Sequence, residues 1–220
     1  MRTFKSENIY YKQHDDFLEI IDVDSALCKK EIVITNEING IPITHIGPKA
    51  FFNVPILESI YLPNNIQAIG HQAFENSTNL KDVTIQSGGT KFLNIDYCAF
   101  RDCKNLLKFT TDKFLRLNDG VFENCVNLTV FDAYISGKIP PYTFYDCQQM
   151  RCIYLNNEVT EICSFAFTNC HNLTSFFIDG AFKYDDEFET LLKNGKICCR
   201  MNSKFVELAY EGYDVQILGV

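Results

Sequence analysis

The chain has 220 residues, a formal net charge of −8, 46% apolar residues, 19 phenylalanines, ten cysteines and no tryptophan. That acidic balance, with no lysine–arginine cluster, argues against sequence-independent nucleic-acid binding, which needs cations to neutralise phosphates. No stretch approaches the ~18–20 apolar residues of a membrane-spanning helix, so no membrane insertion is expected.

At the front, Met1-Arg2-Thr3-Phe4-Lys5-Ser6-Glu7-Asn8 lacks the apolar stretch of a signal peptide. With Met1 as the natural start, the chain is expected to be cytoplasmic; a start further upstream would leave the cell surface open. Residues 17–23 and 31–34 alternate like strands and are predicted to pair and cover the first repeat, making residues 1–45 an N-terminal cap.

From residue 46 to residue 180 one frame occurs six times. Its phenylalanines are Phe51, Phe74, Phe100, Phe122, Phe144 and Phe167, at intervals of 23, 26, 22, 22 and 23 residues. Five positions earlier stand Ile46, Ile69, Ile95, Leu117, Ile139 and Ile162; six positions later, Leu57, Leu80, Leu106, Leu128, Met150 and Leu173. A third apolar column comes at Ile60, Val83, Phe109, Phe131, Ile153 and Phe176. A unit of about 22 residues cannot bury its own apolar face, so it must stack on copies of itself.

Each unit ends in a short alternating stretch such as Ser59-Ile60-Tyr61-Leu62, read as a half-buried strand with Ile60 and Leu62 inward. The segment around Ala50-Phe51 is too short for a free-standing helix, so a turn or short helical piece is expected, with the ring plugging the interior. The alanine before the ring allows close stacking. Its replacement by Val121 and Thr143 predicts looser packing there, and Gln86-Ser87-Gly88-Gly89-Thr90 is predicted to bulge out as a loop.

The run Ile38-Asn39-Gly40-Ile41-Pro42-Ile43-Thr44-His45-Ile46-Gly47 into Ala50-Phe51 resembles BspA-like leucine-rich repeat proteins. So do Ile69-Gly70-His71-Gln72-Ala73-Phe74 and Asn124-Cys125-Val126-Asn127-Leu128. The resemblance covers roughly residues 30–180. It implies a protein-binding solenoid in a family that includes bacterial surface proteins binding host matrix and many proteins of anaerobic protists, and it specifies no partner. The family glycine survives at Gly47 and Gly70 and becomes Asp96, Asn118, Pro140 and Cys163 in later copies.

Beyond the frame, residues 181–220 are read as a C-terminal cap. Residues 185–194 are predicted to form a short helix with Phe188, Leu191 and Leu192 on one face, and residues 197–201, 205–209 and 215–218 short strands.

Cys103, Cys125, Cys147 and Cys170 share one column of consecutive repeats. The column admits a metal or disulfide ladder, or a small apolar filler; with no C-x-x-C pair alongside, the filler is expected. Adjacent Cys198 and Cys199 would face opposite sides of a strand, and so many unpatterned thiols suit a reducing compartment. The sequons at Asn76, Asn127 and Asn172 are read as by-products of a frame that places Asn before Leu and Thr after it. His14, His45, His71 and His171 have no metal-ligand spacing, and no phosphate-binding or nucleophile motif occurs. No catalytic, metal or cofactor site is expected.

What remains is binding. The outward strand positions run Ser59, Asp82, Lys108, Val130, Cys152, Ser175 and Tyr61, Thr84, Thr110, Asp132, Tyr154, Phe177. Aromatic residues near an arginine are the usual anchors of a protein interface, so Tyr61, Val130, Arg151, Cys152, Tyr154 and Phe177 are the candidate face. The predicted architecture is a strand-rich leucine-rich-repeat solenoid of stacked parallel strands with short helical or turn segments, six repeats plus end caps. Its predicted role is a non-enzymatic protein-binding scaffold or structural subunit, with a cell-surface adhesin as the alternative.

Overall fold

The computed structural model describes residues 2–200 and 211–218. Each repeat contributes a trailing strand after its phenylalanine, and these strands lie side by side in parallel. They are Ser59–Leu62, Asp82–Ile85, Lys108–Leu117 and Val130–Ile135, with the cap strand Glu31–Val33 paired on Ser59–Leu62. The third apolar column supplies their register, Ile32 beside Ile60, Val83, Phe109 and Phe131. A second parallel set holds Cys152–Leu155, Ser175–Ile178, Lys196–Arg200 and Asp214–Leu218.

A leading ladder, not anticipated from the repeat frame, precedes the phenylalanines. Leu18–Val23, Ile41–Ile46, Ala68–Ile69, Phe92–Ile95 and the far half of Lys108–Leu117 pair in parallel, and Gly137–Ile139 pairs with Val159–Ile162. The predicted strands near residues 17–23 and 31–34 exist, but they do not pair with each other. One opens the leading ladder and the other the trailing ladder, because each finds its parallel partner in the next repeat. An antiparallel hairpin, Arg2–Ser6 with Ile9–Gln13, covers Leu18–Val23.

Between the ladders the phenylalanines form one column, each no more than 3% exposed. Neighbouring rings stack at 5.0, 5.0, 5.3, 5.6 and 5.2 Å. The spacings of 5.3 and 5.6 Å lie beside Val121 and Thr143, both fully buried, which stand where the other repeats have alanine. The segment carrying each ring is a turn tied to the next repeat by its backbone; Phe51 N donates to Ala73 O at 2.7 Å and Phe74 N to Ala99 O at 2.7 Å. Two residues after each ring the backbone is left-handed, at Asn53, Asn76, Asp102, Asn124, Asp146 and Asn169. Asn and Asp tolerate that conformation better than other non-glycine residues, which accounts for that column. At Gly70 a side chain would strike Pro48 N at 2.7 Å, so glycine there permits the close approach of successive turns.

Residues 86–90 bulge out, and Lys113 fastens them. It is 1% exposed, and its Nζ donates to the carbonyls of Asn64 (2.7 Å), Gly88 (2.9 Å) and Thr90 (2.7 Å). Burial pushes the Lys113 ammonium below its ordinary pKa.

The helix forms at Asp186–Asn194 with Asp185 as N-cap, its carboxylate accepting from Phe188 N at 3.0 Å. Phe188 and Leu192 are buried and Leu191 is half-buried. Phe188 lies 5.4 Å from Phe167 and edge-on to Phe176 at 5.6 Å, so it ends the ring column. Strands Lys196–Arg200 and Asp214–Leu218 match two of the predicted C-terminal strands; residues 205–209 lie outside the described residues.

Candidate protein-interaction surface

The outward side of the trailing ladder has two unlike halves. In the early repeats charges neutralise one another: Glu58 bridges Lys30 and Lys81 at 2.7 Å each, and Lys108 lies 3.9 Å from Asp82. Hydrogen bonds from both lysines hold the Glu58 carboxyl down at about 2. Further along, Leu107, Val130, Cys152 and Phe177 are exposed and Arg151 stands beside them.

The trailing ladder is interrupted between Val130–Ile135 and Cys152–Leu155, which belong to separate sheets. There the Asn156 side chain enters, its Oδ1 accepting from Ile135 N at 3.0 Å. Tyr134 and Tyr154 meet edge to face across the interruption at 5.9 Å. Tyr134 also stacks on Phe114 at 5.3 Å, and Phe114 lies 6.0 Å from Phe92. With Phe177 beside Tyr154 in register, one aromatic ribbon runs from the leading ladder across to the trailing one. Lys91 Nζ lies 5.1 and 4.7 Å from the Phe92 and Phe114 ring centres, and the Arg116 guanidinium 4.0 Å from that of Phe92.

Of the predicted face, Val130, Arg151, Cys152, Tyr154 and Phe177 fall on this C-terminal half. Tyr154 is half-buried and its hydroxyl donates to the Asp179 carboxylate. Tyr61 is separate: it sits between Val33 and Thr84, three strands away from Val130. Sequence reasoning missed Phe92, Phe114 and Tyr134. Phe92 and Phe114 hold the repeat spacing of 22 residues, but Tyr134 comes after 20, because the Lys108–Leu117 strand shifts register between Thr110 and Phe114.

The cysteine column is buried. Cys103, Cys125, Cys147 and Cys170 point Sγ at the carbonyls of Phe74, Phe100, Phe122 and Phe144, at 3.1, 3.2, 3.2 and 3.0 Å. Ser77 Oγ makes the same bond to Phe51 O at 2.7 Å. Burial raises all four thiols well above their ordinary range, Cys170 to about 12. None of the ten cysteines is in a disulfide. Cys198 and Cys199 align with Phe177 and Ile178 on opposite sides of their strand, yet both are buried. The sequon asparagines bond between repeats: Asn76 Nδ2 to Asn53 Oδ1 (3.0 Å), Asn127 Nδ2 to Lys104 O (2.9 Å) and Asn172 Nδ2 to Gln148 O (2.7 Å).

The fold brings both His14 and His45 against Phe17, with ring centres 4.3 and 4.4 Å from its own. Among the described residues no three His, Cys, Asp or Glu side chains gather as a metal-binding group, and no helix is long and apolar enough to cross a membrane.

The profile of the BspA type leucine-rich repeat region matches six copies, over residues 29–138 and 117–194. The chain belongs to the BspA-type leucine-rich repeat family. Solved structures agree on the fold. This BspA-type chain is similar to a leucine-rich repeat protein of T. pallidum, at 19% identity and TM-score 0.69, with all of each chain covered. It is also similar to a leucine-rich cell surface protein of Faecalibacterium prausnitzii, at 23% identity and TM-score 0.69, covering 93% of this chain and 55% of that one. A leucine-rich repeat protein of Eubacterium ventriosum matches at 22% identity and TM-score 0.55, covering 74% and 50%. No curated protein matches. The fold is that of a protein-interaction module.

Proposed function

We propose that this BspA-type solenoid is a non-enzymatic scaffold or structural subunit that docks another protein on the C-terminal half of its strand face. The carrying observation is the contrast along that face. Early repeats pair their charges around one exposed apolar residue of the ladder, Val33, whereas later repeats gather Leu107, Val130, Cys152 and Phe177, all exposed, beside Arg151. Phe177 is 38% exposed although Phe176 and Ile178 already fill the interior on either side of it.

The double variant Tyr154→Ala, Phe177→Ala is expected to keep its fold and to weaken partner capture by at least about 2 kcal/mol, the hot-spot scale. Binding measured against the partner recovered from native extract checks this. Undiminished capture in the double variant, with loss in variants of the Lys30–Glu58–Lys81 half, would move the interface.

A cytoplasmic setting is part of the proposal, supported by ten unpaired cysteines. The alternative, a cell-surface adhesin, is supported by the cell-surface description of the F. prausnitzii protein. Thiol titration of denatured, unreduced protein from its native source separates them. Most of the ten thiols are expected to be free; four or five disulfides would favour the adhesin.

A further inference from the structure

The ribbon's surroundings narrow the partner's chemistry. Arg116 and Arg151 are exposed, and among the described residues neither is in an ion pair, whereas Arg101 is held by Glu75. Arg116 lies over the Phe92 ring, and a guanidinium seated on a ring keeps its in-plane donors for a carboxylate. Nearby acids are largely engaged. Glu158 meets Lys91 at 3.8 Å and Ser136 Oγ at 3.1 Å, and Asp179 accepts from the Tyr154 hydroxyl. Asp132, exposed two residues before Tyr134, disfavours an acid over the ribbon's middle.

The rings themselves limit the choice further. Phe114 and Tyr134 stack at 26° between planes and Arg116 covers Phe92, so one face of each of these three rings, where a sugar could sit, is already taken. The edges of these rings are left for apolar side chains. Centroid steps of 6.0, 5.3 and 5.9 Å make the run from Phe92 to Tyr154 at most about 17 Å, which an extended chain spans in about five residues.

We propose that the ribbon receives an extended segment of a partner protein with carboxylates towards its ends and an aromatic or aliphatic side chain between them. This rests on the strand face being a docking surface. Arg116 engages one carboxylate, Arg151 the other, and the central side chain packs on Tyr134 and Tyr154.

The test is selection of a displayed library of random twelve-residue peptides on the intact protein. Anisotropy titrations then compare the selected peptides with analogues carrying Gln or Asn for Glu or Asp. Selected peptides are expected to be acidic around an apolar centre, and each neutralised analogue to bind about three- to fivefold more weakly, the scale of an exposed ion pair. Arg116→Gln should weaken the acidic peptide by the same factor and leave the analogue lacking its carboxylate unchanged, while Arg116→Lys restores part of the loss. Arg116 is exposed, so its variants are expected to fold, which circular dichroism checks. A neutral or basic consensus, no selected peptide, equal weakening of peptide and analogue, or self-association as the only binding would each overturn the proposal. If Tyr154→Ala, Phe177→Ala abolishes partner capture while Arg116→Gln changes nothing, the docking face stands and the acidic occupant falls. If neither variant has an effect, both fall.

Discussion

Phe122→Ala is expected to destabilise the protein by about 3–5 kcal/mol, the cost of truncating a fully buried aromatic. Phe122 is 0% exposed and stacked between Phe100 at 5.3 Å and Phe144 at 5.6 Å, and it meets Phe109 and Phe131 edge-on at 5.1 and 5.4 Å. Truncation therefore opens a void bordered by four rings. In a solenoid each repeat leans only on its neighbours, so the cavity also weakens the junction between the two ends of the array. That junction adjoins the interruption between Val130–Ile135 and Cys152–Leu155, where the strands give least support. Urea denaturation should show the loss, with a broadened or two-step transition if the halves uncouple. A change below about 1 kcal/mol would mean that the ring column does not hold the repeats together.

Stability is expected to fall steeply above pH ~9. Burial raises the thiols of Cys103, Cys125, Cys147 and Cys170. In the unfolded chain they ionise near their ordinary value of about 8.5. Between that value and the folded value of about 12 at Cys170, the unfolded chain has released protons that the native chain retains. Stability is therefore fully present below pH ~8.5 and lost as pH rises, at a limiting slope of about 1.4 kcal/mol per pH unit for each thiol. Tyr11, raised by burial to about 12, adds to the fall. Lys113 acts in the opposite sense: its folded value is lowered, so its contribution rises with pH in the window just below 10.5. Lys113 alone opposes the four column thiols and Tyr11, while burial also raises Cys28, Cys98, Cys163 and Cys199 in the same direction as the column. Urea midpoints at pH ~8, ~9 and ~10 under reductant would show the decline. Cys125→Ser should fold, since Ser77 already fills the same slot, and should remove about a quarter of the four-thiol slope. A flat profile across that range would show that the thiols ionise within the native stack.

By itself the sequence determined what recurs on every turn. The spacing of Phe51 to Phe167 specifies the stack, the flanking aliphatic columns specify the interior, and the shared strand sense specifies that the strands ending each repeat run parallel. Asp185 before an apolar-faced stretch marks the closing helix. These features are legible because each repeat restates them within about 22 residues, and a column repeated six times outweighs any local ambiguity. Val130, Cys152 and Phe177 could likewise be placed outward, because strand side chains alternate with period two.

Only the tertiary structure decided the features that depend on contact between repeats that are not alike. Ala68–Ile69 is too short to show alternation, so the leading ladder appears only once Ile46, Ile69 and Ile95 lie side by side. Lys113 is buried because carbonyls of Asn64, Gly88 and Thr90 converge on it from other turns of the solenoid. The aromatic ribbon exists because one strand, Lys108–Leu117, crosses both ladders and shifts register, carrying Phe114 to Tyr134 and so to Tyr154. A periodic sequence encodes the period. Departures from it acquire positions only through the neighbours they meet, and the candidate docking site is built from such departures.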